Sequence, residues 1–491
     1  MLRDRKYYTV FNMQRGFGNC KAHGRANKMQ NFCQTNHFVG RLLIYLSMKN
    51  KVERIHIVGI GGVGCSSLAQ WLLARGYVVS GSDVVESATT GKLQSLGAKI
   101  CIGHMAENVG NAQVVVRTSA VDENNVEVAF ARQKGLPVVL REQLLGHVFN
   151  SFDQRIAVCG THGKTTATSM LSHVLQQLQV EHCAFIGGNV GGRNFVDGRG
   201  VVLAEACEYN ASFLHLEPTV TLCLNVEFDH PDCYKNLGEV QTAFCKLLQK
   251  NTHGVAVLPN NIAHLAGETP VLTFGKHGNV AFGNLRTNGN GCASFNVVVD
   301  GNAVCRCKLR VPGLHNAHNA IAVVAVCKAL DLPLLQVVHA LQRFDGVERR
   351  WQTFPHNVVC DYAHHPTEIQ ATLKTALSIA KGKVLCLFQP HTYTRTQALW
   401  NDFAKVFSCV HGVAFLPIYS AREAPICGVD SLELCKSAKE MGVNAFYAKD
   451  FASAVLWAVQ NKRENDLLLV LGAGNVVDVV PQIMDAISAT T

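Results

Sequence analysis

Residues 155–166 read RIAVCGTHGKTT, and their order decides the architecture. An apolar run of strand length meets a glycine-bounded turn, which leads into a helix-forming stretch that continues to Gln177. The turn Gly160-Thr161-His162-Gly163-Lys164-Thr165-Thr166 gathers backbone N–H groups at a helix N-terminus, where they can cradle phosphate oxygens. Lys164 would neutralise the β/γ charge, and the Thr165 hydroxyl is an oxygen donor of the kind Mg²⁺ takes. The full phosphate-loop pattern needs an earlier glycine where this chain has Val158, so the match is the shorter G-x-x-G-K-T-T. A glycine-rich surface turn with an incidental lysine is the plain alternative. The position between strand and helix argues against it.

On both sides of this unit, short apolar strands alternate with helix-length segments, the pattern of parallel α/β units. Upstream, RIHIVGIGGVG at 54–64 gives G-x-G-x-x-G from Gly59, Gly61 and Gly64, with Gly62 between them. Such a loop lets backbone amides approach a diphosphate. The next strand, YVVSGSD, ends at Ser82 and Asp83, about where a dinucleotide enzyme keeps its ribose-binding acid. Taken alone, the first region reads as NAD binding or as plain strand–helix packing. Polar breaks at 149–153 and 342–350 separate three α/β domains: 48–151, 152–344 and 345–491. The first and third are expected to be Rossmann-like, and the middle one to be a phosphate-loop ATPase-type domain on a parallel sheet. Between Gly254 and Pro312 the strands become short and Asn/Gly-punctuated, which predicts an antiparallel flap at the edge of the middle domain.

The 491 residues carry a net charge of +9. Residues 1–50 hold nine Lys or Arg against one acid, Asp4, so +8 of that charge sits in the first fifty residues. The remaining chain is nearly neutral, which excludes a nucleic-acid-binding domain. Two readings fit the leader at 1–47: an organelle transit segment, or an extension ahead of a start at Met48. The lack of a Ser-rich amphipathic pattern favours the second. No apolar stretch reaches the roughly 18 residues of a membrane helix. Nineteen cysteines are scattered through apolar runs without a C-x-x-C pair, so they read as reduced core residues of a cytoplasmic protein.

Further strand ends supply ligand-type side chains. VVLAE ends at Glu205, and TVTLCLN leads into VEFDH with His230. Carboxylates at the C-terminal edge of a parallel sheet face the ligand crevice, and Mg²⁺ chemistry favours Glu205 over His230. Glu208 and Asp229 could equally be local helix caps or a surface pair.

The chain resembles the Mur ligase family, most closely its alanine-adding branch. The resemblance rests on HIVGIGGVG (56–64), SGSD (80–83), GTHGKTT (160–166), AEACEYNASFLHL (204–216), NVEFDH (225–230), PGLHNAHNA (312–320), GVERR (346–350), DYAHHPTE (361–368), QPHTYTRT (389–396) and LGAGNV (471–476). It implies an ATP- and Mg²⁺-dependent ligation of L-alanine to the lactyl carboxylate of UDP-N-acetylmuramate, in peptidoglycan precursor synthesis, by a monomer or weak homodimer. By that resemblance the first-domain glycines with Ser82 and Asp83 hold the UDP-sugar diphosphate in place of NAD. Residues Gly160 to Thr166, Asn316 and Asn319 hold ATP, while Thr165, Glu205 and His230 ligate the metal. Arg350 and Asp361 join the C-terminal domain to the site, and Tyr362, His364 and Arg395 form the amino-acid end. His364 is then a candidate base for the amine. Asn316 could instead be the N-cap of the Ala-rich helix 317–330. The chain departs from the family pattern at Cys207, Asn210, Thr392, which stands where many relatives have arginine, and Asn475. Three rivals remain: a relative that attaches a recycled tripeptide, an NAD-linked oxidoreductase, and a silent UDP-sugar binder.

Overall fold

The structure, a computed structural model, describes residues 53–250 and 253–488; the expectation for the leader at 1–47 lies outside them. Three sheets follow one another along the chain. The first is wholly parallel, in the order Lys99–Ile102, Val78–Asp83, Arg54–Val58, Val114–Arg117, Val138–Leu140. Arg54–Val58 takes the middle because its apolar run tolerates cover on both faces. The strand order reverses beside it, so the crevice at its C-terminal end is the ligand position of a doubly wound, Rossmann-like sheet. There Gly59–Gly62 turns into the helix Val63–Ala74.

The second sheet has ten strands. Its parallel part runs from Val271–Phe274 through Val255–Pro259, Val220–Cys223, Gln154–Cys159 and Val201–Glu205 to His182–Val190. At one edge Val280–Thr287, Cys292–Val299 and Asn302–Pro312 fold back antiparallel. The flap expected from Gly254 therefore begins only at Val280. Val255–Pro259 is a buried parallel strand, and the Asn/Gly punctuation after it belongs to a short crossover, Asn260–Ala266, which resembles a hairpin turn in sequence. Helix Leu314–Ala329 is buried almost all round, between this sheet and the helix Lys164–Gln177. Its run of alanines and valines has no polar face to offer water. Asn316 is not its N-cap: Gly313 caps the helix, and Asn316 sits in the first turn, donating to Pro312 O at 2.7 Å.

The third sheet, ordered Gln352–Phe354, Val358–Asp361, Leu467–Leu471, Val384–Phe388, Gly412–Phe415, Ala445–Tyr447, is parallel except for its first strand. Among the described residues every cysteine is a free thiol, and no helix is long and apolar enough to cross a membrane.

Candidate active site

The phosphate loop closes over the end of Gln154–Cys159. Gly163 takes a left-handed φ of 82° as the N-cap of Lys164–Gln177, and a Cβ there would stand 2.8 Å from Asn319 Oδ1. Only glycine admits both the turn and the approach. Asn225 braces the loop, accepting from His162 N at 2.8 Å and donating to His162 O at 3.1 Å. Thr161 is a brace as well, since its hydroxyl accepts from Glu227 N at 2.8 Å. His162, Gly163, Thr166, Asn316, Asn319 and Arg350 all border a cavity of about 800 Å³, and Asn319 donates to Asn316 at 3.3 Å.

Lys164 is held from several sides. Its Nζ donates to Gly160 O at 2.6 Å, to Thr161 O at 3.0 Å and to both oxygens of Glu208 at 3.0 and 2.9 Å. Burial would push this ammonium down, but Glu208 more than offsets it and lifts its pKa above the ordinary value. Burial likewise opposes the Glu208 carboxylate, yet Lys164 and then His230 hold its pKa below the usual range. Glu208 stands at the N-cap position of the short helix Tyr209–His215, but its side chain makes no capping bond there, and it is buried. It is the buried counter-ion of the loop lysine.

The metal-type ligands divide. Glu205 Oε2 accepts from Thr165 Oγ1 at 2.9 Å and from Gly187 N at 3.0 Å. A Cβ on Gly187 would overlap that carboxylate, so the glycine is needed for the approach. His230, in the left-handed region at φ 57°, is turned instead toward Glu208, 3.5 Å away. Asp229 beside it reaches across to the third sheet's region. Arg395 closes a two-pronged pair on it, Nε to Oδ1 at 2.8 Å and Nη2 to Oδ2 at 3.2 Å, with both side chains 5% exposed. Burial would raise the Asp229 pKa, but Arg395 holds it well below the carboxylate range. The two-pronged donor edge of Arg395, a residue expected at the amino-acid end, is therefore engaged by a protein carboxylate, leaving Nη1, which lies 3.2 Å from His391 Nδ1.

A second charged cluster joins the same two regions. His162 lies 3.4 Å from Glu227 and 3.4 Å from Glu368. Burial disfavours its charge, but the two carboxylates lift its pKa to about 9. Thr367 donates to Glu227 at 2.8 Å, and His365 Nε2 meets Phe228 O at 3.3 Å. His162, Glu227 and His365 bring ligand atoms within 4.8 Å of one another; Thr367 and Phe228 engage Glu227 and His365, while His162 Nε2 makes no hydrogen bond. His364 Nδ1 faces two acceptors, Tyr362 O and Glu368 Oε2, both at 3.1 Å. Nδ1 must carry the proton there, which leaves Nε2 as the basic nitrogen. Tyr362 lies between Arg349 and Arg350, 4.9 and 4.7 Å from its ring centre. Asp361 accepts from Trp351 N at 2.7 Å and Ala363 N at 2.9 Å, so it fixes the turn that aims its neighbours.

In the first region, Gly59, Gly62 and Gly64 border a smaller cavity of about 260 Å³, whose far wall includes Gly187 and Glu205. Ser82 does not face it: the side chain is fully buried and its hydroxyl donates to Glu127 at 2.5 Å. The period-two alternation of its strand turns Ser82 into the layer beneath. Asp83 accepts from Gly61 N and from Val84 N, both at 2.8 Å, so it shapes the glycine loop. Arg141, directly after the strand Val138–Leu140, lines this cavity and was not singled out from sequence. Its position at a parallel strand's C-terminal end was the available signal.

Residues 54–153, 158–327 and 343–474 match family models described as the Mur ligase family catalytic domain, the Mur ligase middle domain and the Mur ligase glutamate ligase domain. The chain is 38% identical over 446 residues to a UDP-N-acetylmuramate–L-alanine ligase of Acetivibrio thermocellus, covering 88% of this chain and 95% of that one. A protein of the same name from Clostridium botulinum is 37% identical, with 88% and 97% covered. The crystal structure of the UDP-N-acetylmuramate-alanine ligase of Thermotoga maritima is similar at a TM-score of 0.77 and 29% identity, covering 89% of this chain and 100% of that one. A murein peptide ligase from Psychrobacter arcticus shares the fold at a TM-score of 0.68 and 20% identity, with 89% and 98% covered.

Proposed function

The chain belongs to the Mur ligase family, and from that premise we propose that it joins L-alanine to the lactyl carboxylate of UDP-N-acetylmuramate with cleavage of ATP to ADP and phosphate. One observation carries the reading beyond the family. Glu205 borders the cavity floored by the glycine loop and also accepts from Thr165 of the phosphate loop. An acceptor carboxylate in the first cavity and a γ-phosphate on the loop would therefore meet at one side chain. In this reading residues 48–151 hold the UDP-sugar, 152–344 hold ATP and 345–491 bring the amino acid, in the cytoplasm.

The parts match the chemistry. The γ-phosphoryl group passes to the carboxylate as an acyl phosphate, and the amine of L-alanine then displaces phosphate. Loop amides and Lys164 neutralise charge on the transferred oxygens, for which Lys164 must share its ammonium between Glu208 and the nucleotide. A hydroxyl and a carboxylate oxygen 2.9 Å apart suit Mg²⁺, a hard cation that prefers oxygen donors and retained waters. Thr165 and Glu205 would hold it, and when bound it supplies charge neutralisation at the phosphates. The amine must be neutral to attack, and His364 offers Nε2 as the acceptor of its proton.

The test is phosphate release from ATP with UDP-N-acetylmuramate, run with no amino acid, with each single amino acid, and with a tripeptide. Release that depends on L-alanine is expected. Release only with the tripeptide would assign the chain to the peptide-attaching branch, and release with neither would remove the ligase reading.

A further inference from the structure

An amino acid brings a carboxylate into the site, and a buried carboxylate needs a cation. With the Arg395 fork closed on Asp229, the question is which cation remains. Arg349 donates to Gly472 O and Gly474 O at 3.1 and 2.7 Å. Arg350 lies against Tyr362 and borders the cavity that also contains Asn316 and Asn319. Lys164 is committed to Glu208. Arg350, like Arg422, has among the described residues a guanidinium without a hydrogen bond and only a loose acid neighbour, Glu368 at 3.8 Å. Arg422 differs in lying outside the cavity that Arg350 borders and in being the more exposed of the two. Its side chain is 40% exposed, and its nearest acid, Asp232, is 3.7 Å away.

It is nonetheless held in place. The guanidinium stacks 4.1 Å over the Tyr209 ring, and the Tyr209 ring in turn meets His230 edge-on at 5.1 Å. The segment that carries it is clamped on both sides. Tyr419 donates to Pro390 O and accepts from Thr392 N, both at 2.9 Å. Glu423 accepts from Thr394 N at 2.9 Å and Thr394 Oγ1 at 2.6 Å. Between the clamps Ala421 is forced to a φ of 52°, a left-handed conformation that a non-glycine residue keeps only where its surroundings impose it. A planar donor fork with no hydrogen-bonded partner, stacked on a ring and fixed at its base, is preorganised for a carboxylate.

Its neighbours also match an amino acid. The α-carboxylate and α-amine are separated by one carbon, so their partners must lie close together. His391 lies beside the base: its ring is 5.7 Å from His364 and stacks at 5.6 Å on Tyr419, three residues before Arg422. Burial first, and then neighbouring positive charge that includes Arg395 and Arg422, presses its pKa down to about 3. His391 is therefore a neutral ring beside the base, near enough to Arg422 to feel its charge.

We infer that Arg422 binds the α-carboxylate of the incoming amino acid and so makes the enzyme require a free carboxylate there. This rests on the ligase reading above. Because Arg422 is part-exposed and outside any tight ion pair, its replacement should leave the fold intact. Phosphate release is measured for the wild type, Arg422→Ala and Arg422→Lys, each with L-alanine and with L-alaninamide, which lacks the carboxylate. Arg422→Ala should raise the KM for L-alanine about thirty- to hundred-fold, in line with loss of a charge-assisted pair, with the KM values for ATP and UDP-N-acetylmuramate within about two-fold. Arg422→Lys should recover part of the loss. Wild type should strongly prefer L-alanine to L-alaninamide, and Arg422→Ala should nearly erase that preference. An unchanged KM for L-alanine, or an equal loss for both substrates, would overturn the assignment. A wild-type protein with no amino-acid-dependent release would instead overturn the ligase reading beneath it.

Discussion

Arg395→Lys separates two roles for a residue in the middle of the site. The arginine ties helix Tyr393–Ala398 to Asp229 through two hydrogen bonds of 2.8 and 3.2 Å, in a place where both side chains are 5% exposed. Lysine keeps the charge and cannot reproduce the fork. Losing one charge-assisted hydrogen bond of a buried pair costs about 1.5–3 kcal/mol. A central value of about 2 kcal/mol lowers the population of the docked arrangement roughly thirty-fold. Full removal in Arg395→Ala should cost about 3–5 kcal/mol, because Asp229 is left buried and unpaired.

The consequence for substrates follows from which regions line each cavity. The 800 Å³ cavity takes residues from both the second and third sheets' regions, whereas the 260 Å³ cavity takes none from the third. Weaker docking should therefore raise the KM values for L-alanine and ATP together, by up to about thirty-fold, and leave that for UDP-N-acetylmuramate alone. Urea unfolding of wild type, Asp229→Asn, Arg395→Lys and the double variant completes the cycle. Tryptophan fluorescence reports on it because Trp351, Trp400 and Trp457 lie in the third region. A coupling energy of at least about 1.5 kcal/mol is expected. Additive single effects, or a rise confined to L-alanine, would refute the reasoning and return the carboxylate to Arg395.

Lys164→Ala should lower phosphoryl transfer by at least about a hundred-fold, and adding Glu208→Gln should recover stability without recovering rate, since the stranded carboxylate is gone. Glu205→Gln should raise the Mg²⁺ concentration for half-maximal rate by about ten-fold or more; a magnesium titration unchanged from wild type would move the metal elsewhere. For His162, whose pKa is lifted from 6.5 to about 9 by Glu227 and Glu368, the stabilisation is fully present below pH 6.5 and is lost as pH rises through 9. It is worth on the order of 3 kcal/mol, so His162→Gln should be less stable at pH 6 and flatten the decline between pH 6.5 and 9, which urea midpoints at three pH values would show. UDP-N-acetylmuramate should raise the melting temperature by mass action while NAD does not, and the reverse result would restore the dehydrogenase reading.

What the sequence reveals and what it hides divide along a physical line. GTHGKTT and GIGGVG are local: the residues that need one another lie within a single turn, so pattern alone exposes them. Lys164 and Glu208 are 44 positions apart, and Asp229 and Arg395 are 166 apart. Nothing in a linear chain marks an acid as the partner of a distant base, so Glu208 and Asp229 read equally well as caps or surface charges. Ser82 misled for a different reason. Its alternation with Asp83 was visible, but only the packing of Glu127 beneath it decides which face is the ligand's. Arg422 carried no motif at all, and its meaning comes from what Arg395 is already doing.

That dependence reaches beyond one residue. In the proposed reading the amino-acid end draws on four separate segments: Glu208 to His230 of the second region, Tyr362 to His364, His391 to Arg395, and Tyr419 to Glu423. No single sheet contains it, so it depends on the contacts that hold these regions together, the buried Arg395–Asp229 pair foremost among them. A substitution at Arg395 would then weaken L-alanine binding even if the guanidinium never touches the amino acid. Loss of alanine affinity on its own therefore cannot distinguish a ligand contact from the clasp that assembles the pocket. The amide analogue can, because removing the clasp weakens acid and amide alike, whereas removing the carboxylate's own partner weakens only the acid. On the geometry seen here, Arg395 variants should fall in the first class and Arg422 variants in the second.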